Sequence, residues 1–429
     1  MRTLLGNKLL EKKSIQFNSL CYTLGTLCSS ATSVLLMLIV TRILGIIDAG
    51  VFSISYSVAQ LMLTIGWFST RSFQVSDVKE EYSFSNYFLF KVILSVISII
   101  GGIVYSFFLE SDAYTFMVTI LCCIFNLGDI FADFFSARFQ QIDRLYIAGI
   151  SYAIRTAGYC IVFFISMLIF KNLALSIVLA FFYSCVELLL FDYPYIRLFS
   201  EIEINFKRDL KKVSFLAISC FPLFLSSFVT TFITNIPKNM IQLTYTQDIQ
   251  AIYNIIFMPS SLVNLFCMFI FVPLYTRIAR LWNSGKVNAF KRMVVKVVLL
   301  VFFISILIVV IAYFFGIPVL ELVYGVNLDE YKKPFMVLMC AGCLTGLNAV
   351  LVFIVTVLRK QRYILIVYII SLILSQLAIT PLMNYFGFIG STLDYLLGIV
   401  TISLLLSIIL LINLKTFIQN KDLGGYKND

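Results

Sequence analysis

The chain has 429 residues, of which 61% are hydrophobic and 13% charged, with a mean hydropathy of +0.98 and a net charge of +10. Soluble domains carry about 45–50% apolar and about 25% charged residues, so the composition excludes a soluble protein and with it the nucleic-acid partner that such a charge would otherwise suggest. Apolar stretches of about 20 residues recur along the whole length; each crosses a bilayer as a helix, whereas a barrel would show runs of about 10 residues of alternating polarity.

Met1 to Lys13 carries Arg2, Lys8, Lys12 and Lys13 without a short apolar core or a small-residue cleavage site, and reads as a cytoplasmic tail rather than a signal peptide. From Ser14 to Asp77 the pattern is a helical hairpin: an apolar segment to Leu44, a break at Gly45 to Gly50, and a second apolar segment from Val51 to about Thr70. Twelve spans are predicted in all, over about 15–44, 51–70, 85–108, 114–135, 147–170, 173–196, 213–236, 251–275, 294–315, 334–357, 364–384 and 389–413. With the N-terminus inside, 24 of the 32 Lys and Arg residues fall in cytoplasmic segments, so both termini are expected in the cytoplasm. The longest inner connection divides the spans six and six. The expected domains are an N-terminal lobe 1–200, a cytoplasmic linker 201–212, a C-terminal lobe 213–414 and a cytoplasmic tail 415–429.

The halves share an order of small matches. Asp48 to Phe52 aligns loosely with Asp248 to Tyr253, Thr70-Arg71 with Thr276-Arg277, Phe90-Lys91 with Val295-Lys296, and Arg144-Leu-Tyr146 with Arg362-Tyr363. An even number of spans per half makes such repeats parallel, about an axis along the membrane normal. The predicted fold is therefore an all-α integral membrane protein of two six-helix lobes. The ten cysteines lie mostly inside apolar helices and read as small buried hydrophobes; Cys340-Ala-Gly-Cys343 has redox spacing but no soluble fold around it.

Charge within a span costs roughly 2.5–3.5 kcal/mol at the bilayer centre and calls for a reason. The first lobe holds Lys91, Asp129, Asp133, Arg155 and Glu187 inside its spans and Arg42 near an outer end, while the second holds little beyond Lys296 and Asp394. Arg155, about 12 Å into its helix, reads either as an ion pair with Asp129 or Glu187 or as a contact for an anionic substrate. Asn126, Asp129 and Asp133 form one polar stripe, open to a structural role, coupling-ion binding or sugar contacts. Lys91 and Lys296 are short enough of the helix end to snorkel to the cytoplasmic interface. Arg42 is read as an outer anchor or a cavity residue, Arg71 and Arg277 as the cytoplasmic mouth, and Glu187 and Asp192 as partners for the cations. Asn18, Ser19, Thr23, Thr26, Ser29, Ser30, Thr32 and Ser33 make the inner half of the first span polar, either as tight packing surface or as a hydroxyl-rich cavity wall.

The motifs Asn18-Ser-Leu, Thr23-Leu-Gly25, Val40-Thr-Arg-Ile-Leu-Gly45, Asp48-Ala-Gly-Val-Phe-Ser53, Gln60-Leu, Gln74-Val-Ser-Asp-Val-Lys-Glu80 and Tyr82-Ser-Phe84 carry a family resemblance. A second block is Gln140-Gln-Ile-Asp-Arg-Leu145 with Ala148-Gly149, Ser151 and Arg155. Over these first 155 residues the chain resembles the Wzx-type polysaccharide repeat-unit flippases of the multidrug/oligosaccharidyl-lipid/polysaccharide exporter superfamily, with Ile150 a departure where related chains place Lys. The resemblance implies a V-shaped transporter in the bacterial cytoplasmic membrane that moves an undecaprenyl-diphosphate-linked oligosaccharide to the outer leaflet. On that implication Arg155 and Lys91 bind diphosphate or acidic sugar, Arg42 meets it near release, and Asp129 or Asp133 serves proton or sodium coupling, with Glu187 a further ion-pair candidate. Membrane lipids, a polysaccharide polymerase and a chain-length regulator are the further partners, and no cofactor is implied.

Three other readings use the same residues. A multidrug antiporter of the superfamily would line its cavity with acids rather than Arg. A polytopic polymerase or acyltransferase would need a catalytic platform, which the short loops and the histidine count of 0 disfavour. A sodium-driven symporter would show a Gly/Pro-broken helix pair, although Pro237, Pro259 and Pro273 fall in spans seven and eight.

Overall fold

The computed structural model describes residues 15–77, 81–199, 210–271, 278, 280–282, 284, 286–358 and 360–422. The Met1 to Lys13 tail, most of the 201–212 linker, Arg277 and the last residues of the 415–429 tail therefore lie outside the described residues. Helix dominates and no strand occurs among the described residues. Among the described residues, eleven helical stretches are long and apolar enough to cross a membrane. The span expected at 251–275 is present as the helix Gln247–Phe271, next to which residues 272–277 lie outside the described ones.

The chain forms two compact units, Met1–Phe228 and Val229–Asp429. In the first, α1 (Ile15–Ile43) lies along α7 (Leu145–Phe170), and α2 (Ile46–Trp67) packs on α4 (Phe84–Phe108) and α5 (Ala113–Phe125). A short α3 (Thr70–Ser76) packs on α6 (Leu127–Gln141), and α8 (Leu173–Glu187) packs on α7 and α5. The segment ends in a π-helical turn, Leu188–Asp192, and α9 (Tyr193–Phe199). The core helix is α2, where Ala49, Val58, Ala59 and Leu61 are fully buried. Elsewhere Val96, Ile100, Phe107 and Phe108 on α4 stay exposed, the arrangement expected of a helix whose outer face meets lipid.

Local sequence explains where these helices start. Ser83 accepts a hydrogen bond from the Asn86 N–H, Asp112 from those of Tyr114 and Thr115, and Asn172 from that of Leu175, satisfying donors that have no partner within the helix. At the crossing of α1 and α7 two glycines meet backbone of the opposite helix. A Cβ on Gly25 would stand 2.1 Å from the Gly149 carbonyl oxygen, and one on Gly149 would stand 2.3 Å from the carbonyl oxygen of Cys21. Small residues at such a crossing let two backbones approach within a membrane.

Three of the spans in this unit are interrupted. Between α2 and α3, Phe68 and Ser69 take left-handed conformations at φ 45° and 51°; α5 gives way to α6 at Asn126; and the π turn separates α8 from α9. Gly66, Gly128 and Pro194 each lie within two residues of one of these breaks, but the apolar pattern continues through all three. Inside a membrane each break frees backbone or side-chain polar groups that protein must satisfy.

The second unit is built on α14 (Lys332–Val357), which packs against α11 (Gln247–Phe271), α12 (Val287–Ile311) and α16 (Phe388–Asp422), with α15 (Gln361–Phe386) against α16. The remaining helices are α10 (Leu210–Thr244), which runs from the first unit into the second, and α13 (Ile317–Tyr324), which follows a π turn at Ala312–Gly316. Gly325 and Gly387 close α13 and α15 at positive φ, a conformation that glycine adopts without a Cβ clash. Cys340 and Cys343 are both free thiols on α14.

Candidate functional site

The charged residues of the first unit converge on α6. Asp129 and Asp133, four residues apart, share one face of that helix. Arg155 comes from α7, and its Nη1 donates to Asp129 Oδ1 at 2.5 Å. Lys91 comes from α4 and Arg71 from α3; Lys91 Nζ reaches Asp133 Oδ2 at 3.3 Å and Arg71 Nη1 reaches Asp133 Oδ1 at 3.4 Å. Both carboxylates are thus held by cations from neighbouring helices.

Tyrosines join the two pairs into one network. Tyr152 on α7 lies under the Arg155 guanidinium at 5.4 Å, and its hydroxyl accepts from Arg71 Nη1 at 3.5 Å. Tyr22 on α1 lies under the Arg71 guanidinium at 4.8 Å, where the ring face attracts the cation. Arg71 further donates to Ser136 Oγ at 2.8 Å and Gln140 Oε1 at 2.9 Å. Arg71 is the most accessible of the three cations, its side chain 20% exposed against 1% for Lys91 and Arg155.

Lys91 does not snorkel to the interface as its position suggests. Its ammonium donates to the carbonyl oxygens of Gly66 at 3.2 Å and Trp67 at 3.0 Å, at the end of α2. These carbonyls have no next turn to bond to, because Phe68 and Ser69 leave the helix, and a cation at a helix C-terminus satisfies them and complements the helix dipole. The break therefore supplies the reason for burying a lysine.

Arg155 retains unused capacity. Its Nε and Nη2 are buried and make no hydrogen bond. Glu187, at the end of α8, acts on it electrostatically, yet neither Glu187 oxygen accepts a hydrogen bond. Asp129 is the ion-pair partner of Arg155; Glu187 and Asp192, expected as partners for the cations, lie within electrostatic reach of Arg155 without a hydrogen bond to it, and Asp192 accepts from Ser151 Oγ at 3.0 Å. Asn126, at the α5/α6 break, is buried with both side-chain polar atoms unpartnered.

The other expected site residues separate from this network. Arg42 is exposed in the last turn of α1, about 30 Å along the helix from Tyr22. Its neighbour in sequence, Asp48, accepts from the Tyr114 hydroxyl at 3.2 Å. Lys296 is exposed on α12 and, with Lys291 and Arg292, borders an open hollow of about 420 Å³. The polar half of α1 divides: Asn18 Oδ1 accepts from the Tyr146 N–H at the start of α7, Thr32 bonds the Tyr159 hydroxyl, and Thr26 and Ser30 return to their own helix. Tyr22, Tyr152 and Ser136 are the network members that sequence reasoning missed. Nothing in an apolar run distinguishes a tyrosine under a guanidinium from a tyrosine in the core.

The helical arrangement is similar to that of solved transporters of the MOP superfamily. A multidrug resistance MATE family transporter in its inward-facing conformation matches with a TM-score of 0.69 at 11% identity, covering 91% of this chain and 96% of its own. A Vibrio cholerae MATE transporter in the bent form matches with a TM-score of 0.57 at 12% identity, covering 94% and 97%. A MOP superfamily transporter from Pyrococcus furiosus, whose pocket is described as of reverse polarity, matches with a TM-score of 0.55 at 12% identity, covering 95% and 96%. No curated protein sequence matches the chain. The fold is that of the MOP transporters. Residues 16–282, more than half of the chain, match the family model for polysaccharide biosynthesis protein, and the chain belongs to that family.

Proposed function

We propose that the protein is a flippase that carries a polyprenyl-diphosphate-linked oligosaccharide from the cytoplasmic to the outer leaflet of a bacterial cytoplasmic membrane, for surface polysaccharide synthesis. The observation that carries this reading is the buried Arg155 guanidinium, paired with Asp129 through one nitrogen and left with two nitrogens free. A diphosphate cannot enter hydrocarbon bare, and a guanidinium replaces its water with directed, charge-assisted hydrogen bonds. Arg71 and Lys91 add positive charge on the same face, and Arg71 is accessible enough to receive the head group first. Asp129 and Asp133 hold these cations between transport cycles, so that burying three positive charges does not await substrate. The role is transport rather than catalysis, and a polymerase and a chain-length regulator are the protein partners.

A second reading follows from the fold, since the similar structures include multidrug transporters. A hydrophobic cation would use Asp129 and Asp133 as its counter-charges and would compete with Lys91 and Arg71 for them. Deleting the gene and following lipid-linked repeat units together with surface polysaccharide separates the two. The flippase reading expects repeat units to accumulate on the inner leaflet and surface polysaccharide to fall, both restored by the wild-type chain. Normal delivery of repeat units in the deletion, together with sensitivity to cationic drugs, would select the antiporter.

A further inference from the structure

Two buried acids in the first unit, Glu187 and Asp192, face a cation without closing an ion pair with it. Glu187 and Asp192 are 5% and 1% exposed; Glu187 precedes the π turn at Leu188–Asp192 and Asp192 ends it. An α-helix would set residues five apart about 140° from one another, whereas the i→i+5 turn, closed by the Tyr193 N–H on the Leu188 carbonyl, brings them to one side. The two carboxyls lie within electrostatic reach of each other. Ser151 Oγ donates to Asp192 Oδ2, which leaves Asp192 Oδ1 and both oxygens of Glu187 without a hydrogen bond.

Four elements pack around the pair; α9 brings Tyr193, Tyr195 and Arg197, the last exposed and over the Tyr193 ring. From α7 come Ser151, Tyr152 and Arg155; from α6 comes Asp129, already joined to Arg155; and from α8 comes Ser184, which with Arg155 borders Gly128. Arg155 is the cation facing the pair, and its Nε and Nη2 are unpartnered and fully buried. Across the whole network three cations, Arg71, Lys91 and Arg155, stand against four carboxyls, Asp129, Asp133, Glu187 and Asp192. Net charge is costly at this depth, and one proton makes the cluster neutral. A metal cation would have to sit beside the Arg155 guanidinium, whereas a shared proton supplies the missing donor between two carboxyls.

We propose that Glu187 and Asp192 form a proton-binding site that holds one proton between them, and that Arg155 reads its occupancy. With the proton bound, Arg155 pairs with Asp129 as the structure shows. When it leaves, the free nitrogens of Arg155 turn to Glu187, and the hold on Asp129, and with it on the proposed anion site, loosens. The site itself stands on the geometry of the π turn; its use in export rests on the flippase reading.

Infrared difference spectroscopy of the purified full chain in lipid nanodiscs, titrated between alkaline and acid buffer, tests the site without substrate. The expected result is a protonated-carboxyl carbonyl band that is lost in both Glu187→Gln and Asp192→Asn, shifts without disappearing in Ser151→Ala, and persists in Asp394→Asn, which alters the buried acid of the second unit. A wild-type chain with no such band overturns the proposal, as does a band that survives both substitutions. Loss of the wild-type band on adding sodium at fixed pH also overturns it, since the ligand is then a metal cation. If Glu187→Gln or Asp192→Asn fails to fold, wild type, Ser151→Ala and Asp394→Asn still decide, because an unshifted band in Ser151→Ala assigns the proton elsewhere. The band behaving as expected while the gene deletion leaves export normal would retain the site and remove the flippase.

Discussion

Arg155 and Lys91 are both buried cations paired with a carboxylate of α6, and their different surroundings assign them different work. Arg155 has donors to spare, so its loss should be felt in export per folded molecule, beyond the stability lost with the Asp129 pair. One charged hydrogen bond to substrate is worth about 1.5–3 kcal/mol, or roughly ten- to a hundredfold in rate. Arg155→Ala and Arg155→Lys should each lower delivery of repeat units by that order per molecule present in the membrane, Lys failing because a point charge cannot reproduce the guanidinium fork. Export at the wild-type rate in both, measured alongside the amount of protein, would leave Arg155 as a helix tie only. Lys91 spends its donors on Gly66, Trp67 and Asp133. Lys91→Met should therefore destabilise by about 2–3 kcal/mol, less than a fully broken buried pair because Asp133 keeps Arg71. Thermal unfolding in detergent should place it below Arg71→Gln, and the reverse order would refute the capping role. Of these two residues, the sequence made the Arg155–Asp129 pair legible, since depth in the span and charge on the next helix both pointed to it. It could not place Lys91, because the carbonyls that hold it are freed by left-handed conformations at Phe68 and Ser69, which these residue types adopt uncommonly.

At the scale of elements, hydropathy located the spans, but not what interrupts them or how closely they cross. Lipid-facing and buried apolar residues look alike in a sequence, so a run such as Leu173 to Phe199 reads as one helix. In the structure it is a helix, a π turn and a short helix. The breaks gather the function: Lys91 serves the first, Asn126 stands at the second, and Glu187 precedes the third, which Asp192 ends. The α1/α7 crossing shows the complementary case, a motif whose physical role is packing. Gly25 and Gly149 both belong to stretches that carry the family resemblance, and each faces backbone of the opposite helix. Backbone cannot rotate aside, so Gly25→Ala and Gly149→Ala should each push α1 from α7 and cost about 1–3 kcal/mol. Their shared crossing means the double variant should cost less than the sum. Unfolding midpoints of the three variants measure this, and single variants as stable as wild type would show that the two helices can part without penalty.

For the whole molecule, the net charge of +10 is a statement about orientation. Lys and Arg near the ends of spans resist transfer across the membrane, and their asymmetry sets the topology. Arg71, Arg138 and Arg144 all lie at one end of the helices of the first unit, the end where Asp77 gathers the N–H groups of Glu81 and Tyr82. Lys171 lies at the opposite end, closing α7 in a left-handed conformation. Placing the arginine end in the cytoplasm puts Arg71 first in the path of a substrate made there and Arg155 deeper, an order that agrees with their exposures of 20% and 1%. Reporter fusions test this arrangement directly. A fluorescent protein joined after Asp429 should fluoresce and alkaline phosphatase joined there should be inactive, while phosphatase inserted after Asn172 should be active. The opposite pattern at both sites would turn the molecule over, placing Arg71 at the outer face and Arg42 at the inner one. The same cluster would then face the product side, where a cation that grips diphosphate slows release rather than aiding capture, and the direction of transport proposed from Arg155 would have to be reversed.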